Sequence, residues 1–167
     1  PPLRDGFSRF ISDPAKIVEA VEIYREMYRA GAMFEAEVYP GIPEELESLS
    51  GENDLLCVTS KMHEYAAQII EKFGLSRYIH KVYGPEPDGT LSEKALLIGH
   101  VLESEKISAD KAVMVGDTHY DIEGAIANGI RSVGVLWGFG ELGDIRRADF
   151  IIATPDHLGK AIDYIMK

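Results

Sequence analysis

The sequence predicts an α/β protein, a parallel sheet flanked by helices with a small helical unit in front of it. Three observations carry that expectation. After Tyr39-Pro40-Gly41, short apolar runs alternate with amphipathic segments, a rhythm that implies parallel strands joined by right-handed crossovers. Residues 113–130, VMVGDTHYDIEGAIANGI, join an uncharged strand to a helix through Gly116, and Gly129 stops that helix. Residues 1–36 form the helical unit, which leaves 37–167 for the α/β core.

Taken in order, residues 3–11 open the helical unit. Asp13 is an N-cap with Pro14 at the first helical position, and Gly31 ends the helix that follows. Ile17, Val18, Val21, Tyr24 and Tyr28 share one face of it, a stripe that packs on other helices. In the core, strands are expected at 55–59, 79–83, 112–115, 132–136 and 150–153. Helices are expected at 62–73, 92–105, 121–128 and 156–166. No repeat, linker or low-complexity segment interrupts the series.

A chain of 167 residues, 46% hydrophobic, can bury one good core and a small appendage. A net charge of −11 argues against nucleic acid or an anionic membrane as partner, since both need a basic face. Cys57 is the sole cysteine and lies within an apolar strand. No base or cation is expected there to form a thiolate, so it reads as a small buried hydrophobe. The absence of any disulfide framework suits a reducing cytoplasm. No apolar run approaches membrane-spanning length.

The chemistry concentrates at strand ends. Asp117 follows an apolar strand, where open α/β sheets bind ligands, and Asp121 lies one helical turn on. Two such carboxylates suit Mg²⁺, a hard cation that takes oxygen ligands and keeps several waters. The plainer alternative is an acidic helix N-cap. Thr59 and Ser60 stand where a strand becomes a loop before a helix. Their hydroxyl and backbone N–H groups can bind phosphate oxygens or merely cap that helix. Lys94 falls in the first turn of a helix, where the dipole is already positive, so it is either a solvated surface lysine or a cation with a partner. Arg4 can fork onto an anionic group of a ligand or pair with Asp5. The loop Trp137-Gly138-Phe139-Gly140 either lines a site rim or packs its aromatics beneath itself. His63, His80, His100, His119 and His157 read as structural or exposed, because neutral imidazole is a poor Mg²⁺ ligand.

These motifs together resemble the haloacid dehalogenase superfamily of phosphatases. GDTHYDIEGAIANGI is similar to that family's fourth motif, GDxxxDxxGAxxAGI. LLCVTSK, residues 55–61, resembles the second motif, an apolar strand ending in Thr or Ser, and Lys94 in TLSEKALL resembles the third. The opening residues 1–7 are similar to a cap sequence of phosphoglycolate phosphatase-like members. The resemblance covers essentially the whole chain. It implies a Rossmannoid sheet with a partial helical cap, and hydrolysis of a small phosphorylated metabolite through an aspartyl-phosphate intermediate. It further implies Asp117 as a direct Mg²⁺ ligand, Asp121 as an outer or water-mediated one, and Thr59 and Lys94 as catalytic groups. Thr59, Ser60, Lys61, Lys94 and Arg4 are the implied substrate contacts.

The family's first motif, a strand followed by DxDGT that carries the nucleophile, has no counterpart in these residues. Asp88-Gly89-Thr90-Leu91 is a decoy: it follows GPEP, whose prolines forbid a central strand, and lacks an Asp two residues earlier. The resemblance therefore implies a further N-terminal segment whose strand lies between those of Thr59 and Asp117. The alternative is a rearranged chain that self-associates, as in a homodimer. Pyrophosphatase or phosphomutase activity of the same superfamily is the neighbouring expectation. A dehalogenase needs no metal and does not explain both aspartates. A metal- or phosphate-binding protein without catalysis is the third.

Overall fold

The computed structural model describes residues 3–167, apart from the side chain of Asp5. The two opening prolines and the alternative pairing of Arg4 with Asp5 lie outside the described residues.

Two helices come first, α1 (Leu3–Ser8) and α2 (Pro14–Arg29). Asp13 caps α2 as expected, its Oδ1 accepting the Ala15 N–H at 2.9 Å. The predicted stripe on α2 is only partly covered. Val21 is buried, whereas Val18 and Tyr24 are 45% and 37% exposed, because α2 packs on α1 and a single turn at Ala32–Phe34 rather than on a sheet.

The strands are β1 (Leu55–Val58), β2 (Ile79–Tyr83), β3 (Val113–Gly116), β4 (Arg131–Val135) and β5 (Phe150–Ile152). All pairings are parallel, as the alternation implied. They fall into two sheets, β1–β2 and β3–β4–β5, and β1 is not hydrogen-bonded to β3 among the described residues.

The intervening helices are α3 (Ile42–Ser50), α4 (His63–Lys72), α5 (Lys94–Glu105), α6 (His119–Ala127), α7 (Leu142–Ile145) and α8 (Leu158–Ile165). Helix α3 was not expected. Its N-cap is Gly41 at φ 86°, so the side-chain capping signal is missing, although Pro43, Glu44 and Glu45 suit a first turn. The short α7 also escaped prediction. Helix α6 begins two residues earlier than expected, with Thr118 rather than an aspartate as N-cap.

One apolar cluster sets Val133, Val135 and Ile152 against Leu49 of α3 and Leu158, Ala161 and Ile165 of α8. A second joins Ile98, Met114, Ala125 and Ile130, with Val58 of β1 packed against it. This second cluster holds the end of β1 near β3 although no hydrogen bond links them. Ile122 of α6 is fully buried, worth about 1.5–3 kcal/mol relative to exposure.

Candidate active site

The turn from β3 into α6 is built around Asp121. Its Oδ2 accepts the Thr118 N–H at 3.1 Å, one arm of a capping box, and also the Thr118 hydroxyl at 2.8 Å. Its Oδ1 lies 3.0 Å from Lys94 Nζ. Gly116 makes the room: a Cβ there would stand 2.5 Å from Asp121 Cγ. Both oxygens of Asp121 are therefore engaged. Asp117 differs. Its Oδ2 accepts the Phe139 N–H at 2.7 Å, and its Oδ1 has no hydrogen bond among the described residues.

Lys94 is buried, not solvated. Its Nζ also donates to the carbonyl of Val58, the last residue of β1, at 2.9 Å. The misplaced cation at a helix N-terminus thus has two partners, one on each side of the gap between the sheets. Lys94 ties the carboxyl end of β1 to the acidic turn after β3, so the Thr59 and Asp117 turns share one end of the fold. The charge of that ammonium is also felt at Cys57. Burial pushes that thiol up, and the Lys94 charge pulls it the other way. This corrects the expectation of a strand interior without positive charge: tertiary packing, invisible in the local sequence, brings the lysine in.

Thr59 continues the β1 register, its N–H donating to the Tyr83 carbonyl at 2.9 Å. Its hydroxyl accepts the Lys61 N–H at 3.1 Å. Neither Thr59 nor Ser60 caps α4, whose N-cap is Met62 without a side-chain bond. The capping alternative is thereby set aside. Lys61 turns its ammonium to α2, where Nζ hydrogen-bonds the Tyr28 hydroxyl and lies 4.6 Å from the ring centroid. Tyr28 stacks on Tyr24 at 5.4 Å and meets Tyr65 of α4 edge-on at 5.4 Å. Arg29 Nε donates to the Tyr65 hydroxyl at 3.0 Å.

Arg4 is exposed on α1 and makes no hydrogen bond or ion pair with Thr59, Lys61, Lys94, Asp117 or Asp121. The five histidines are all exposed. His119 turns its Nδ1 to Asp144 Oδ1 at 3.2 Å. Asp88-Gly89-Thr90-Leu91 is loop, with Asp88 Oδ1 accepting the Thr90 N–H at 2.8 Å, a bond that holds this carboxyl below its usual range. Sequence reasoning took Tyr28 for ordinary packing and missed the Phe139 N–H. A phenol inside an apolar stripe was the available signal for the first, and two glycines around Phe139 for the second.

Among the described residues, no three His, Cys, Asp or Glu side chains cluster as a ready-made metal cage. Mg²⁺ does not require one, since one or two carboxylates, waters and a substrate phosphate suffice. The free Asp117 Oδ1, backed by a saturated Asp121 and set at a strand's carboxyl end, fits that donor chemistry. A cavity lined by Ala109, Asp110, Gly129 and Arg131 lies at the opposite, amino end of β3 and β4.

Parallel strands, flanking helices and polar turns at one carboxyl edge define a Rossmann-type α/β scaffold. The chain belongs to the haloacid dehalogenase-like hydrolase family, whose model matches residues 1–135. It is 40% identical over 148 residues to a 5'-nucleotidase of Pseudomonas aeruginosa, covering 87% of this chain and 67% of that protein. It is 31% identical over 146 residues to a phosphoglycolate phosphatase of Aquifex aeolicus, covering 87% and 68%. The crystal structure of a predicted phosphatase from Clostridium acetobutylicum superposes with a TM-score of 0.91 at 36% identity, covering 98% of this chain and 78% of that one. The chain spans about two thirds of the length of these two curated relatives.

Proposed function

We propose that the native protein is a Mg²⁺-dependent phosphatase acting on a small phosphomonoester through an aspartyl-phosphate intermediate. The observation that carries this is the bridge made by Lys94, Nζ to Val58 O at 2.9 Å and to Asp121 Oδ1 at 3.0 Å. It gathers a hydroxyl turn, a cation and an acidic turn at one end of the strands. Residues 1–36 serve as part of a cap and 37–167 as the core.

The nucleophilic aspartate is assigned to a further strand seated between β1 and β3. Three features support that position. The two strands do not pair with each other, the apolar residues of β1 are only half-buried, and Val115 of β3 is 36% exposed.

When bound, Mg²⁺ supplies positive charge that offsets the phosphoryl dianion. Asp117 Oδ1 is the direct ligand, and Asp121 orients the turn from outside, both of its oxygens being occupied. Thr59 offers its hydroxyl and the turn's N–H groups to phosphate oxygens. Lys94 stands between the end of β1 and Asp121, beside the position assigned to the nucleophile's strand, where its charge meets the transferring group. Ser60 and Lys61 contact the rest of the substrate. Arg4 remains a candidate only on the resemblance, for its side chain is not joined to this group.

The relatives' names point to two substrate types, phosphoglycolate and nucleoside 5'-monophosphates. Phosphate release from both, with and without Mg²⁺, is to be measured beside the intact mass of the purified natural protein. A mass well above 18.5 kDa with Mg²⁺-dependent turnover supports the proposal. A mass of 18.5 kDa without turnover overturns it in favour of a binding protein.

A further inference from the structure

The loop after β4 has no part in the mechanism proposed above, yet its backbone is fitted to Asp117 at three points. The Phe139 N–H donates to Asp117 Oδ2 at 2.7 Å. A Cβ on Gly138 would run into the Asp117 side chain, 2.5 Å from Cγ. A Cβ on Gly140 would stand 2.7 Å from the Asp117 carbonyl carbon and 3.3 Å from Thr118 Cα. Trp137 anchors the loop from below, packed against the cluster of Val133, Val135 and Ile152. The Phe139 ring, 97% exposed, takes no part in holding it.

We propose that Gly138, Phe139 and Gly140 form a backbone cradle that positions Asp117 for a divalent cation. The Phe139 N–H fixes Oδ2 and with it the rotation of the carboxylate, so that Oδ1 alone is presented. Mg²⁺ demands near-ideal octahedral placement of each oxygen, which a freely rotating carboxylate does not provide. Outer hydrogen bonds of this kind orient metal ligands and raise affinity. Glycine is required at 138 and 140 by close approach: any side chain pushes the loop off the aspartate and lengthens the 2.7 Å bond. The cradle rests on the assignment of Asp117 as a metal ligand.

The test is Mn²⁺ binding followed by the electron paramagnetic resonance of the free ion, which needs no turnover. Gly138→Ala is expected to weaken binding about 10–100-fold, the range for lost outer partners of a metal ligand. Gly143→Ala, where a Cβ meets nothing within 4 Å, is expected to bind like wild type. A folded Gly138→Ala with wild-type affinity overturns the cradle alone, as does an equal loss in Gly143→Ala. Wild type and Asp117→Asn binding Mn²⁺ equally overturn the metal assignment itself, and the cradle with it. Should Gly138→Ala fail to fold, the Phe139 amide resonance of wild type decides. It is expected to move on Mg²⁺ addition with the midpoint of binding, and a resonance that stays in place overturns the proposal.

Discussion

Lys94 and Asp121 form a buried ion pair, Nζ 3.0 Å from Oδ1, with only 7% and 9% of their side chains exposed. Neither charge could remain there alone, because the desolvation of an unpartnered ion outweighs what a protein interior returns. Each partner also meets backbone: Lys94 the Val58 carbonyl, Asp121 the Thr118 N–H. Lys94→Met is therefore expected to cost about 3–5 kcal/mol. The double variant Lys94→Met, Asp121→Asn should recover much of that loss without recovering turnover. Urea unfolding of the two single variants and the double variant checks this, and additive losses would contradict the coupling.

Asp117 is expected to matter for chemistry far more than for folding. It is half-buried and accepts one hydrogen bond, that of the Phe139 N–H. Asp117→Asn should lower kcat at least about 100-fold, the scale of losing one charge-stabilising group, while shifting stability by under about 1 kcal/mol. Chelation of divalent cations should abolish wild-type turnover and added Mg²⁺ restore it. Steady-state assays with thermal unfolding check both halves. A variant that keeps its rate would remove Asp117 from the site.

Tyr28 joins α2 to α4 through its ring contact with Tyr65 and to the turn after β1 through its hydroxyl, which meets Lys61. Tyr28→Ala loses two aromatic contacts, worth about 0.5–1.5 kcal/mol each. Amide exchange is expected to quicken in residues 14–29 while β3 and β4 keep their protection. Tyr28→Phe keeps the rings and frees Lys61, so protection should persist while KM changes. Uniform loss of protection across the chain in Tyr28→Ala would show that no separate unit exists.

Asp149 supplies a pH dependence. Burial pushes its carboxyl up, but the Ser132 N–H at 2.8 Å and Arg131 at 3.0 Å outweigh that, and the net shift is downward. A depressed carboxyl adds stability that is complete above its ordinary value near ~3.9 and is lost as pH falls through the lower folded value. Asp149→Asn should thus be less stable than wild type by about 1 kcal/mol at neutral pH, and the two should converge in strong acid. A difference that stays constant across that range would count against this carboxylate.

Much of the core was legible because its signals are local. An uncharged run followed by Gly-Asp ends a strand and starts a helix wherever it is placed, so Asp117 could be set at a strand's carboxyl end from sequence alone. Parallel pairing followed from the alternation, and the Asp13-Pro14 start of α2 from capping chemistry. Helix α3 was not legible, since Gly41 caps it by backbone conformation and offers no side-chain oxygen to recognise.

What only the tertiary structure decided are relations between segments distant in the chain. Lys94 was noticed as a cation at the wrong end of a helix, but its partners, Val58 and Asp121, lie 36 and 27 residues away and meet it only through packing. The hold of Phe139 on Asp117 is a backbone hydrogen bond, which the two flanking glycines permit but do not specify. Tyr28 looked like one more member of an apolar stripe until the turn between β1 and α4 brought Lys61 to its hydroxyl. Sequence determines which groups a strand end carries; the close approach of separate chain segments determines which of those groups act together.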